Sequence, residues 1–359
     1  RRAALPGLQT PRHRIAARPP PLRPYDARVR IGIIGVGAVG GTLAALLEKA
    51  GHEVAVAARG AHLTEIRENG IRLEGGFGEH VARVSADEFL TEAPELAILA
   101  TKAQDARVAL DAHSAVLRGV PVLVVQNGLG GLTVAREELP DSPLIGGLAL
   151  FAASYLSPGR ITITAALTLV IGAGDGTGPE ELETLAATLG GALPTEIGPD
   201  LESAQWSKLL VNHVNALPAI TGLSVQEVVA HPGLRRVMTA SMRETVRVAR
   251  RRGIRLGEMQ GVSGRLLETI GWAPLAIGSL FPRMLADRMG DVPNPGSTLQ
   301  SIQRGQLTEI DFLNGAVVAA AQQAGISTPT NAALVNLVHQ VERSGQFLDP
   351  EDVLARVPV

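Results

Sequence analysis

Three glycines in Gly35-Val36-Gly37-Ala38-Val39-Gly40 stand at the spacing G-x-G-x-x-G, between a short apolar run and an alanine-rich stretch. In that setting the first glycine permits a tight turn and the second lets the backbone approach a pyrophosphate. The third allows a helix to pack closely on a strand while its N-terminus faces the anion. A glycine turn that only reverses the chain is the bland alternative, and it needs no such flanks. About 20 residues further on, where a site for NAD carries Asp or Glu for the ribose hydroxyls, stands Arg59 in Ala57-Ala58-Arg59-Gly60. A planar guanidinium suits the 2′-phosphate of NADPH, which a carboxylate would repel; otherwise Arg59 is a solvated surface arginine. A third set is Lys208, Asn212 and Asn215, at i, i+4 and i+7 of a stretch, Ser203–Leu217, that reads as one helix. At about 100° per residue both asparagines fall within about 40° of the lysine. A cation and two amides on one face can clamp a carboxylate beside a carbonyl, and an amine can give charge and a proton to an oxygen as its carbon accepts hydride. Pattern alone leaves open an ordinary polar face opposite Leu209, Leu210 and Val214.

These residues require strands and helices that deliver them to one place. Val29–Ile34 is a short buried-strand run, followed by the glycine turn, a helix from Ala38 to Ala50 and a second strand at Glu53–Ala58. Apolar runs at Glu95–Ala100 and Pro121–Val125, separated by a helix near Gln104–Leu117, continue an alternation that implies a parallel sheet with covering helices. Asn127, in Asn127-Gly128-Leu129-Gly130, then lies at the carboxyl edge of that sheet, where α/β proteins bind ligands. Asn-Gly is also a common turn pair. Leu144–Leu150 adds a strand, Arg160–Thr164 and Thr168–Ile171 read as a β-hairpin, and a helix near Pro179–Leu189 precedes a last strand near Thr195–Ile197. Beyond about Asp200 the texture becomes helical, which sets the expected division: an extension over 1–28, a dinucleotide-binding domain over 29–199 and a helical domain over 200–359. Near the end, Thr308 and Asp311 read as an N-cap with its capping-box partner, and Ile310, Leu313, Val317 and Ala321 as a core-facing stripe. Glu309 would then sit in a first helical turn, where a carboxylate is favoured by the helix dipole.

Composition narrows the classes. The 359 residues carry a net charge of −2 and 3% aromatic residues, giving neither a basic field nor stacking platforms for nucleic acid. With no cysteine there is no thiolate nucleophile, disulfide framework or cysteine-ligated metal, and a reducing compartment fits. No histidine has metal-ligand spacing, so no metal is expected. His213, some 140° from Lys208, reads as a packing or surface histidine, and Asp105, Asp111 and His113 as polar groups on a helix surface. No apolar run approaches the roughly 20 residues that span a bilayer. The first 28 residues hold seven arginines, six prolines and one acid. They read as a disordered extension or over-extended start, with an organelle transit segment as the alternative.

The run Ala58-Arg-Gly-Ala-His-Leu-Thr-Glu-Ile-Arg-Glu-Asn-Gly-Ile-Arg-Leu73 resembles the ketopantoate reductases. So do Ala100-Thr-Lys-Ala-Gln104, Val125-Gln-Asn-Gly-Leu-Gly130 and Thr308-Glu-Ile-Asp-Phe-Leu-Asn-Gly315, in matching order from Val29 to the C-terminus. The resemblance implies an N-terminal Rossmann domain, mostly parallel and doubly wound, and an all-α C-terminal domain of the 6-phosphogluconate dehydrogenase C-terminal-like type. Between them lie NADPH and a 2-keto acid, ketopantoate, whose reduction to pantoate leads to pantothenate and coenzyme A in the cytoplasm. It also implies Lys208 as general acid with Glu309 assisting, and Asn127, Asn212, Asn215 and Ser297 around the substrate. The cofactor set is Gly35, Val36, Gly37, Ala38, Val39, Gly40, Arg59, Lys102, Asn127 and Glu309. No membrane or nucleic-acid partner is expected, and a homodimer is allowed. The chain departs from the pattern at Ala216, where a second asparagine is usual and Asn215 stands one position early, and at Ser301, where an aspartate is expected. Those departures keep two rivals in view: a related NADPH-dependent reductase of another 2-keto or hydroxy acid, and a non-catalytic NADPH sensor.

Overall fold

Runs rich in Val, Ile, Leu and Ala between Arg30 and Ile197 have no polar face, so they are stable only as strands covered on both sides. The computed structural model describes residues 28–259, 261–290 and 292–359, and the expected N-terminal extension lies outside them but for Arg28. The strands are β1 (Arg30–Ile34), β2 (Glu53–Ala57), β3 (Ile71–Gly75), β4 (His80–Ala82), β5 (Ser85–Asp87) and β6 (Leu96–Leu99). They continue with β7 (Val122–Val125), β8 (Leu144–Ala149), β9 (Ala152–Ser157), β10 (Arg160–Ala165), β11 (Leu169–Ala173) and β12 (Thr195–Ile197). Eight of them form one sheet in the order β12-β11-β8-β7-β6-β1-β2-β5, parallel throughout except between β8 and β11. This is the Rossmann sheet that the glycine turn and alternating pattern imply.

The expected hairpin of Arg160–Thr164 with Thr168–Ile171 is not formed. β10 and β11 belong to different sheets: β11 pairs with β8 and β12, whereas β10 turns back on β9 and also runs parallel to β3. A second sheet, β4-β3-β10-β9, results. Helix α1 (Ala38–Lys49) lies between the two sheets, which is why Gly40 through Leu47 are all buried. Gly41 allows the close approach, since a Cβ there would fall 2.2 Å from the Ile161 side chain. The large sheet is further covered by α2 (Gly60–Asn69), α3 (Ala106–Leu117), α4 (Gly131–Glu138) and α5 (Pro179–Gly190).

From Leu201 onward helices dominate: α6 (Leu201–Asn212), α7 (Ala216–Thr221), α8 (Val225–Ala230), α9 (Pro232–Arg251), α10 (Gly264–Thr269) and α11 (Leu275–Gly278). They end with α12 (Leu280–Arg288), α13 (Gly296–Gln303), α14 (Asn314–Ala324), α15 (Pro329–Ser344) and α16 (Pro350–Arg356). Their core, around Trp206, Leu210, Met238, Met242, Val317 and Val338, extends to Leu148 and Val170 of the sheet. Two sheet glycines seat the first helix. A Cβ on Gly146 would lie 2.1 Å from the Leu201 side chain and one on Gly172 2.8 Å from it, so α6 packs directly on β8 and β11. No helix among the described residues is long and apolar enough to cross a membrane.

Ser203–Leu217 is not the single helix its periodicity suggests. After Asn212 the chain tightens into a 3-10 turn, His213–Asn215, and restarts as α7. Pro218 supplies the reason: it has no N–H for the carbonyl four residues earlier, and its ring crowds that carbonyl, so it is tolerated only in the first turn of a new helix.

Candidate active site

A cleft of about 850 Å³ opens at the carboxyl edge of the large sheet and is lined from both halves of the chain. One part of its wall is the turn between β1 and α1. Gly35 has φ +92°, and a Cβ there would fall 2.5 Å from the Thr101 nitrogen; one on Gly40 would fall 1.9 Å from the Gly35 oxygen. Gly37 meets nothing within 4 Å, so at that residue the backbone is open to the cleft. No acidic side chain occupies the first turn of α1, so its positive end and free N–H groups remain available to an anion. Two buried side-chain oxygens beside the cleft, Gln104 Oε1 and Gln126 Oε1, lack partners as well. These features fit a dinucleotide with its pyrophosphate on the turn.

Arg59 precedes α2 and lines the cleft, its guanidinium 5.5 Å from the centre of the Phe89 ring. Phe89 in turn lies 5.6 Å from His113. A stacked arginine keeps its fork of donors for a phosphate while the ring limits its motion.

The other end holds the groups that can move protons. Lys208, on α6, donates from Nζ to the carbonyl oxygen of Ala149 at the end of β8, 2.5 Å away. Burial strips water from its ammonium and lowers the pKa from 10.5 to about 8, with the charge of Glu309 opposing the fall. Glu309 Oε1 accepts from the backbone N–H of Ala103 at 3.2 Å. Burial raises the pKa of Glu309, against the hydrogen bonds from Ala103 and the Asn127 side chain and the charges of Lys102 and Lys208. Lys102 is itself pushed down by burial and held up by Glu309; its Nζ donates to the Leu307 oxygen at 2.7 Å and to Ser301 Oγ and Gln306 Oε1 at 3.3 Å. An amine with a pKa near neutrality, beside a carboxylate and an amide, is suited to giving a proton to a developing alkoxide.

The two halves of the chain match family models described as ketopantoate reductase PanE/ApbA, over residues 31–176, and ketopantoate reductase PanE/ApbA C terminal, over residues 200–342. The chain belongs to the ketopantoate reductase family. Among its relatives, a 2-dehydropantoate 2-reductase of Halobacterium salinarum is 29% identical over 325 residues, 88% of this chain and 100% of that one. One of Archaeoglobus fulgidus is 28% identical over 318 residues, 87% and 98% of the two chains. A solved structure of a PanE/ApbA family ketopantoate reductase from Ralstonia eutropha JMP134 is similar with a TM-score of 0.75 and 30% identity, covering 87% of this chain and 98% of that one. The fold alone is shared with D-mandelate dehydrogenase, solved with NADH and anilino(oxo)acetate, at a TM-score of 0.75 and 23% identity over 88% of this chain and 98% of that one. As a ketopantoate reductase family member the protein is an oxidoreductase acting on a CH–OH group, with a Rossmann-type N-terminal half.

In this member of the ketopantoate reductase family the cleft brings together Gly35, Val36, Gly37, Ala38, Val39, Arg59, Lys102, Asn127, Lys208, Ser297 and Glu309. Gly40 stands behind the turn. Asn212 and Asn215 are not in the cleft wall: the 3-10 turn rotates Asn215 inward, where its Oδ1 accepts from the Ser297 N–H at 3.2 Å. The capping box read at Thr308 and Asp311 is not formed. Asp311 pairs with His339, Thr308 Oγ1 accepts from the Ile310 N–H, and Glu309 precedes a 3-10 turn, with α14 starting only at Asn314. Glu309 therefore has no helix dipole of its own to explain it. The stripe Ile310, Leu313, Val317 and Ala321 is buried as expected. Asp105 and Asp111 are exposed, but His113 is not a surface group: it is 2% exposed, at the cleft, with Nδ1 on the Ala109 oxygen. Sequence reasoning also passed over His62, Tyr155 and Arg304, all in the wall. His62 was legible only as part of the 58–73 run, and the other two carry no local signal.

Proposed function

We propose that the protein reduces 2-dehydropantoate to pantoate with NADPH, a step toward pantothenate and coenzyme A. The observation that carries the reading is a buried lysine with a pKa of about 8, placed in the same cleft as an open glycine turn and tied electrostatically to Glu309. Bound NADPH would supply the hydride. Lys208 would hydrogen-bond the keto oxygen and give it a proton as charge builds there, exchanging the Ala149 carbonyl for the substrate. Glu309, fixed by Ala103, orients Asn127 and sustains the charge on Lys208. Ser297 and Asn212 are the candidates for the substrate carboxylate; Asn215 acts through Ser297. Arg59 is assigned to the 2′-phosphate and Lys102 to the cofactor side. In this reading residues 29–199 bind NADP and residues 200–359 complete the substrate site, in a cytoplasmic enzyme.

The commitment of Asn215 to the Ser297 backbone favours one second reading, a reductase of a different branched 2-keto acid. Steady-state rates with NADPH and a panel of 2-keto acids separate the two: the primary reading requires the highest kcat/KM for 2-dehydropantoate, and a higher value for another acid transfers the assignment to it. No turnover of any 2-keto acid, with NADPH bound, would leave a cofactor-binding sensor.

A further inference from the structure

We propose that Arg304 is a cofactor-binding residue that grips the pyrophosphate of the dinucleotide from the helical side of the cleft, facing the glycine turn. The inference rests on the dinucleotide reading of that cleft.

Helix α13 presents Ser297, Gln300 and Ser301 to the cleft and continues to Arg304 at its C-terminal cap. Those positions, i, i+3, i+4 and i+7, share one helical face. At a rise of about 1.5 Å per residue, Arg304 stands roughly 10 Å along the axis from Ser297, so the helix runs from the reacting end toward the middle of a bound dinucleotide. Contacts then lead from Arg304 to the turn itself. Its guanidinium sits 5.6 Å from the centre of the Tyr155 ring and donates to the Tyr155 carbonyl oxygen. The Tyr155 hydroxyl is 3.2 Å from His62 Nδ1, and His62 Nε2 is 2.6 Å from the carbonyl oxygen of Val36, inside the glycine motif. The Gly159 N–H also donates to Nδ1, at 3.1 Å, so the imidazole proton is on Nε2 and the Val36 contact is a true donation.

The charge balance agrees. Arg304 is exposed and spends one of its donors on a neutral carbonyl, keeping most of its five N–H groups. Lys102 donates to three uncharged acceptors and is repelled by Arg304, while Glu309, Asp105 and Glu342 offset part of its charge, so Arg304 is the less compensated of the two cations. Arg304 from the helical half and Lys102 from the sheet edge line the same cleft as a helix N-terminus with no acid in its first turn, a setting that suits a diphosphate. Arg59 stands at the start of α2 against Phe89 and Arg304 at the end of α13 against Tyr155, so the two arginines are assigned to different phosphates.

Dissociation constants for NADPH and NADH, measured by fluorescence titration of the full chain, distinguish them. Arg304→Ala should weaken both nucleotides by a similar factor of about ten or more, because both carry the pyrophosphate, whereas Arg59→Ala should weaken NADPH far more than NADH. Arg304→Gln keeps a donor for the Tyr155 oxygen but no charge, so it should fall with the alanine variant, and Arg304→Lys should recover part of the loss. Unchanged affinities in Arg304→Ala, a loss confined to NADPH, or full binding by Arg304→Gln would each overturn the proposal while leaving the cofactor reading intact. A wild-type protein that bound neither nucleotide would overturn both.

Discussion

The ammonium of Lys208 rests on the carbonyl oxygen of Ala149, a contact that ties the first helix of the C-terminal half to the end of a sheet strand. The contact holds the amine without neutralising it, and burial leaves it with a pKa of about 8. In the proposed mechanism reduction uses the ammonium form, so kcat/KM for reduction should fall about tenfold per pH unit above pH 8, while oxidation of the hydroxy acid by NADP, which uses the free amine, should rise up to about pH 8 and level off above it. Lys208→Arg keeps a charge that does not titrate there, and should lose both the limb and on the order of 10²–10⁴ in rate. A reduction profile that stays level to pH 10 in the wild type would rule out this amine as the proton donor.

Glu309 acts on that limb from a distance. Its charge holds the Lys208 pKa up against burial, so Glu309→Gln should move the alkaline limb to lower pH and cut kcat by at least about tenfold at pH 8. The same substitution keeps an acceptor for the Ala103 N–H, so the fold is expected to survive. An unmoved limb, in a variant that still binds cofactor, would show that the carboxylate serves position only.

Much of this was readable in the chain because it is local. The glycine turn, the parallel strands and the helix bearing Lys208 are each specified within a dozen residues, by period and by the glycines at Gly35, Gly37 and Gly40. The second sheet was not, because β3 finds β10 across the whole middle of the domain and β4 has only three residues, too few for a pattern. The contact of Asn215 with Ser297 was not legible for a different reason. An ideal helical wheel carries Asn215 onto the Lys208 face, but Pro218 breaks the helix first and turns the amide toward Ser297. Arg304 and Tyr155 meet only through the tertiary fold, 149 residues apart.

In the proposed reading, Arg59, stacked on Phe89, sets the nucleotide preference. Arg59→Ala should weaken NADPH by about 10- to 100-fold, the size of a charge-assisted contact of about 1.5–3 kcal/mol, and NADH by much less. Equal losses for the two, measured by titration, would remove the 2′-phosphate assignment. Phe89→Ala, which frees the guanidinium without deleting it, should fall between wild type and Arg59→Ala.

His213 offers a test of what positions α6. Its ring is 1% exposed, with Nδ1 at 2.9 Å from Asn314 Nδ2 and 3.2 Å from Ser241 Oγ, and Nε2 at 2.5 Å from Thr245 Oγ1. Asn331 joins Ser241 to Glu244 behind it, so this polar network pins the 3-10 turn directly after Asn212. Burial lowers the His213 pKa from 6.5 to about 3. The unfolded chain therefore takes up a proton below pH 6.5 that the folded state refuses until about pH 3. The stabilising contribution is complete above the higher value and is lost as pH falls, at about 1.4 kcal/mol per pH unit. His213→Gln should cost about 1–3 kcal/mol at pH 7 by leaving buried partners unsatisfied, yet lose less on acidification. Denaturant midpoints at pH 7, 6, 5 and 4 check this: the wild-type and variant curves should converge toward low pH, and parallel curves would mean that the imidazole does not stay neutral in the native state.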